Sequence, residues 1–148
     1  MSESESVIVK YTRIGNEGHE FDVGAAGLPK IIVDRKGFSK EELANDHYGA
    51  RLLCAAALSC FPNTFANTLV RQGANLKGMT ATAEIEKEKD EVMRTRFTTM
   101  KLVVEVDIDE GDMEAFENAK EIMEKGSLVT YSLEDAIEMD IEMRVKGQ

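Results

Sequence analysis

The sequence predicts an α+β domain with mostly antiparallel sheets packed around a long buried central helix. Short β-type runs separated by glycines fill the first part of the chain. An apolar stretch of helical length follows from about Tyr48 to Gln72, and longer runs that alternate apolar with polar side chains come after it. Strands and helices are segregated rather than strictly alternating, which argues against a doubly wound parallel sheet. With 148 residues the chain suffices for one core and is too short for two ordinary domains, so a single domain over residues 1–148 is expected.

The N-terminal strands are expected at Val7 to Thr12, His19 to Val23 and Lys30 to Asp34, with Gly15, Gly18, Gly24 and Gly27 between them. At Ser39 the run Ser-Lys-Glu-Glu has the form of a capping box, in which the serine hydroxyl accepts a first-turn N–H and Glu42 reaches back. A short helix begins there. The central helix is apolar on nearly every side up to Phe61, then mixes Asn63, Thr64, Asn67 and Thr68 with Phe65, Ala66, Leu69 and Val70. It ends at Gly73, a C-cap position suited to glycine. Next, Met79, Ala81, Ala83 and Ile85 oppose Thr80, Thr82, Glu84 and Glu86 in one strand, while Met100, Leu102, Val104, Val106 and Ile108 line one face of another. The charged run Glu86 to Glu91 is expected as the solvated tip of the hairpin joining them.

Asp112 is placed to cap a helix that carries Met113, Phe116, Ala119 and Met123 and stops at Gly126. In the last strand Ile137, Met139, Ile141, Met143 and Val145 alternate with Glu138, Asp140, Glu142, Arg144 and Lys146, giving one core face and one wet face. Its methionines read as core filling. One sheet covers one side of a helix, so a central helix apolar all round asks for a second copy of the chain. A homodimer with a large hydrophobic two-fold interface is therefore expected.

The formal charge of −10 and the lack of any Lys/Arg cluster exclude nucleic acid as an expected partner. The N-terminus lacks a basic region followed by an apolar run, so no secretory signal is read there. Arg51, Pro62 and Asn63 interrupt the apolar helix, so no membrane span is expected and the protein reads as cytoplasmic. Two cysteines in a reducing compartment are expected as free thiols. There is no Cys-x-x-Cys motif, and His19 and His47 are far from both cysteines in sequence, so neither a metal site nor a cofactor is expected.

Cys60 lies inside the central helix, either as core packing or as a reactive centre. Pro62, two residues on, removes a backbone bond; it bends the helix around the core, starts a new helix, or opens the helix at a working site. Cys54 is six residues earlier, about 600° of rotation and about 9 Å of rise along a helix, too far for an internal disulfide with Cys60. It reads as packing. His47 and Tyr48 at the helix entry read as surface groups.

The run Leu-Leu-Cys-Ala-Ala-Ala-Leu-Ser-Cys-Phe at 52–61, followed by a strand hairpin, a helix and a final alternating strand, resembles the OsmC/Ohr family of thiol-dependent hydroperoxide reductases. The resemblance implies an intertwined homodimer. It also implies a helix-borne thiolate that attacks the peroxide O–O bond, becomes a sulfenic acid and is resolved by a second cysteine. Cys60 falls on the peroxidatic position. The resolving position falls on Ser127 in Gly126-Ser127-Leu128-Val129-Thr130, and a serine closes no disulfide, so an external thiol reductant is implied. A family glutamate near the helix start is missing, with Ala50 and Arg51 in its place. Arg13 approximately matches the family arginine that lowers the thiol pKa; Arg51 lies on the opposite side of the helix from Cys60 and would serve it only across a dimer.

Two functions follow as expectations. One is reduction of small organic hydroperoxides through Cys60 alone, in a pocket walled by Phe61, Phe65 and Leu58 and protective against oxidative stress. The other is a non-catalytic dimer that binds a small apolar ligand or senses redox state through Cys60.

Overall fold

A computed structural model describes residues 4–147, which form two compact units divided between His47 and Tyr48. In the first, β1 (Lys10–Ile14), β2 (Gly18–Asp22) and β3 (Ile31–Asp34) make an antiparallel sheet in the order β1-β2-β3. The first strand lies later than the run from Val7 suggested. The short turn at 15–17 pairs Ile14 with Gly18, and the register counted back from there ends at Lys10 opposite Asp22. Helix α1 (Lys40–Ala44) starts where expected: the Ser39 hydroxyl accepts the Glu42 N–H at 3.1 Å and donates to the Glu42 carboxylate at 3.0 Å. None of the described residues of this unit is buried within it.

The second unit is built on α2 (Tyr48–Arg71). Gly73, at φ +94, ends it: the Ala74 N–H reaches the Leu69 carbonyl and the Gly73 N–H the Val70 carbonyl, both at 3.0 Å. These two bonds satisfy carbonyls that the helix itself leaves open, and the left-handed backbone they need favours glycine. The helix runs uninterrupted through Pro62, which is buried. Its buried stripe is Cys54, Ala57, Phe61, Phe65 and Leu69 at helical spacing, while Ala55, Ala56, Ser59, Asn63 and Asn67 are exposed. As expected, the chain's own sheet and helices cover one side of the helix. In length and composition α2 would suffice to cross a bilayer, yet its stripe packs within its own unit.

Beneath the stripe lies a sheet of β4 (Gly78–Lys89), β5 (Thr95–Asp107) and β6 (Glu138–Val145) in that order. β4 and β5 are antiparallel, whereas β6 runs parallel to β5 because two helices carry the chain back between them. The sheet's core face is a ladder: Met79, Val106 and Val145 share one rung, Ala81, Val104 and Met143 the next, then Ala83, Leu102 and Ile141, then Ile85, Met100 and Met139. The four β5 members are fully buried, as the middle strand of a covered sheet must be.

The hairpin tip lies further out than the charged run suggested. Glu86 to Lys89 stay in β4, past an irregularity at Glu86 and Lys87, and the turn falls at 90–94. There the Asp90 carboxylate accepts the N–H groups of Val92 and Arg94 at 3.0 and 2.9 Å, which fixes the turn locally.

Helix α3 (Met113–Met123) buries Phe116, Ala119 and Met123, with the Phe116 ring edge-on to Phe65 at 6.0 Å between centroids. Asp112 does not cap it with its side chain. That carboxylate instead accepts the Asn75 N–H at 2.8 Å, tying the start of α3 to the turn after α2. A further helix, α4 (Leu128–Leu133), follows directly and was not read from the sequence.

Candidate functional site

The site is made where the middle of α2 meets the first turn of α4. Helix α3 ends with the Gly126 N–H on the Met123 carbonyl at 2.9 Å, and Gly126 takes φ +79 to turn the chain into α4. A side chain at Gly126 would also sit 3.1 Å from Thr130 Oγ1, a tight approach that adds to the preference of this backbone for glycine. Ser127 precedes the helix in extended conformation, and Thr130 Oγ1 accepts its N–H at 2.9 Å. Both side chains are buried.

The first N–H groups of any helix lack partners within it. In α4 the amides of Leu128 and Val129, together with the Ser127 side chain, favour the charged form of Cys60 through hydrogen bonding. Cys60 is half-buried. Burial pushes its thiol pKa up, but the bonds from Ser127, Val129 and Leu128 together outweigh burial, and the net direction is down. A sulfur so held favours the thiolate, which is the nucleophilic form of cysteine.

Cys54, six residues earlier in the buried stripe, is driven the other way. Burial raises its pKa and the charge of Arg51 offsets part of that rise. Both cysteines are free thiols. Thus the structure brings Cys60 and Ser127 together, while Arg51 acts on Cys54 instead. Arg13 lies on β1 in the N-terminal unit, where its guanidinium closes over its own turn, donating to the Gly15 carbonyl at 3.0 Å and the Asn16 carbonyl at 3.4 Å.

The expected pocket walls need correction. Phe61 and Phe65 have no exposed surface and face the core, so they cannot line an open pocket; Leu58 is half-buried. Leu128, whose backbone amide favours the charged form of Cys60, is 78% exposed and offers apolar surface at the start of α4. Sequence reasoning missed Thr130 and the two amides. The signal was a glycine and serine followed three residues after the serine by threonine, a helix start hidden by the shortness of the helix it opens.

A family model described as OsmC-like protein matches residues 49–142. No curated protein matches the chain. Several solved structures share the fold over nearly the whole length. An OsmC-like protein of unknown function from Vibrio cholerae superposes with a TM-score of 0.64 at 17% identity, covering 98% of this chain and 99% of that one. A hypothetical protein from Aquifex aeolicus gives a TM-score of 0.66 at 12% identity over 97% and 98% of the two chains. An organic hydroperoxide resistance protein from Elizabethkingia anophelis gives 0.57 at 13% identity over 100% of each.

Proposed function

This chain belongs to the family of OsmC-like proteins, and on that premise we propose that it reduces small organic hydroperoxides with Cys60 as its only peroxidatic sulfur. The observation that carries the reading is the convergence of three donors, Ser127 Oγ and the amides of Val129 and Leu128, on the Cys60 sulfur. Solved proteins of the same fold that are described as organic hydroperoxide resistance proteins support the substrate class.

In the proposed reaction the Cys60 thiolate attacks the terminal oxygen of ROOH. The O–O bond breaks, an S–O bond forms, and sulfur is oxidised by two electrons while the peroxide is reduced. The leaving alkoxide takes a proton from solvent to become the alcohol, and Cys60 is left as a sulfenic acid. Ser127 has no sulfur with which to resolve it. An external thiol therefore condenses with the sulfenic acid, releasing water and giving a mixed disulfide, and a second thiol frees Cys60 as the disulfide of the reductant departs. Leu128 supplies apolar contact for the organic group. Arg13 is kept as a proposed catalytic cation, and a peroxide step left unchanged by Arg13→Gln would remove that role.

The assembly is a homodimer in this reading, since the exposed side of α2 and an N-terminal unit with no buried residue among those described both call for cover. Consumption of cumene hydroperoxide with dithiothreitol as reductant tests the function: turnover by the wild-type chain, lost in Cys60→Ser and kept in Cys54→Ala, supports it. Equal turnover by Cys60→Ser would refute it. One observation favours a second reading. With serine at 127, oxidised Cys60 has no exit within the chain, which suits a redox-sensing thiol that is oxidised once and read by its surroundings.

A further inference from the structure

We propose that Thr130 is a positioning residue for Cys60: its buried hydroxyl fixes the direction in which the single hydroxyl proton of Ser127 points. The proposal rests on the reading of Cys60 as the reactive sulfur. Ser127 Oγ and Thr130 Oγ1 are 3.1 Å apart, joined by a hydrogen bond that either can donate. The two residues are 7% and 2% exposed, so bulk water does not compete for their protons. Thr130 Oγ1 already accepts the Ser127 N–H at 2.9 Å, which orients it. Its own proton has two destinations, Ser127 Oγ at 3.1 Å and the Ser127 carbonyl oxygen at 3.3 Å.

When Thr130 donates to Ser127 Oγ, Ser127 must place its proton elsewhere, and the Cys60 sulfur is the acceptor it meets. The donor chain then runs from Thr130 through Ser127 to the sulfur, each bond polarising the next. The same pair also runs in reverse. Once sulfur carries a hydroxyl, that proton goes to Ser127 Oγ, Ser127 donates to Thr130, and Thr130 turns to the Ser127 carbonyl. The two hydroxyls thereby serve both an anionic sulfur and its protonated oxygen adduct by exchanging donor and acceptor roles. Within this unit the groups acting on the sulfur, the Ser127 hydroxyl and the two amides, are all uncharged, so the order of their protons is what the pair controls.

The test is the pH dependence of Cys60 alkylation by monobromobimane in the full chain carrying Cys54→Ala, with circular dichroism to confirm folding. Thr130→Val removes the hydroxyl at nearly constant volume. It should move the titration to higher pH and slow alkylation at neutral pH by roughly three- to tenfold, the effect of one hydrogen bond, and Thr130→Ser should restore the wild-type profile. Thr130→Ala, which adds no bulk, carries the same expectation should the valine variant not fold. A profile unmoved by Thr130→Val but shifted by Ser127→Ala would overturn the proposal while leaving Cys60 as the reactive sulfur. A shifted profile in a protein that consumes no hydroperoxide would uphold the positioning role and count against the peroxidase reading alone.

Discussion

Cys60 and Cys54 belong to the same helix, and what touches each sulfur drives their chemistry apart. Cys54 is a buried thiol whose raised pKa keeps it protonated at neutral pH, whereas Cys60 is lowered by donors from α4. In the wild-type chain, iodoacetamide at neutral pH should therefore label Cys60 well before Cys54, as peptide mass mapping would show. Ser127→Ala removes a donor from the thiolate, raises the Cys60 pKa, and should reduce that labelling by roughly three- to tenfold. The sign follows from the direction of the shift: a lowered folded-state pKa means a thiolate present below the ordinary thiol range, and loss of the donor moves its appearance to higher pH. Ser127→Cys should have a different effect. Its sulfur would stand at hydrogen-bonding reach of Cys60, so mild oxidation should close a disulfide between Cys60 and the introduced cysteine, seen as loss of two hydrogens by mass analysis; two thiols left free would show the pair is held apart. Cys60 and Ser127 were legible from the sequence through a motif in a long helix and the position of a serine. Thr130 was not, because its role depends on a proton's direction, which no spacing encodes.

At the scale of elements, the core depends on rings shared between helices. Phe65 lies fully buried between Phe61 and Phe116, its centroid 6.4 Å from the first and 6.0 Å from the second. Phe65→Ala should cost about 3 to 5 kcal/mol in denaturant unfolding, the range for a large ring lost from a core. Gly126→Ala acts elsewhere, placing a side chain at φ +79 and 3.1 Å from Thr130 Oγ1. It should destabilise the chain by roughly 1 to 2 kcal/mol and slow Cys60 alkylation as well, because the turn it strains also aims Ser127. The alternating strands were readable because period-two patterning reports which face is buried. The parallel pairing of β6 was less so, since the same alternation suits either direction and the crossover through α3 and α4 decides it. Helix α4 was hidden for another reason: its six residues hold one buried side chain, too few for a period to show.

At the scale of the molecule, α2 and the N-terminal unit each leave apolar side chains open, among them Val70 of the helix and Tyr11, Ile14, Ile32 and Phe38 of the unit, each at least half exposed. Sedimentation at micromolar concentration should find twice the 16.4 kDa of one chain; a species at 16.4 kDa would contradict the dimer. The apolar surplus of α2 was evident in the sequence, as was the cover of one side by the chain's own sheet, but which residues form the buried stripe was not, because burial depends on what lies across from each face. The central claim remains chemical, that the Cys60 thiolate attacks a peroxide. It is tested most directly by stopped-flow mixing with cumene hydroperoxide followed by dimedone trapping and peptide mass analysis. Rapid labelling confined to Cys60 is the predicted result, and labelling of Cys60 no faster than that of a free thiol at the same pH would contradict it.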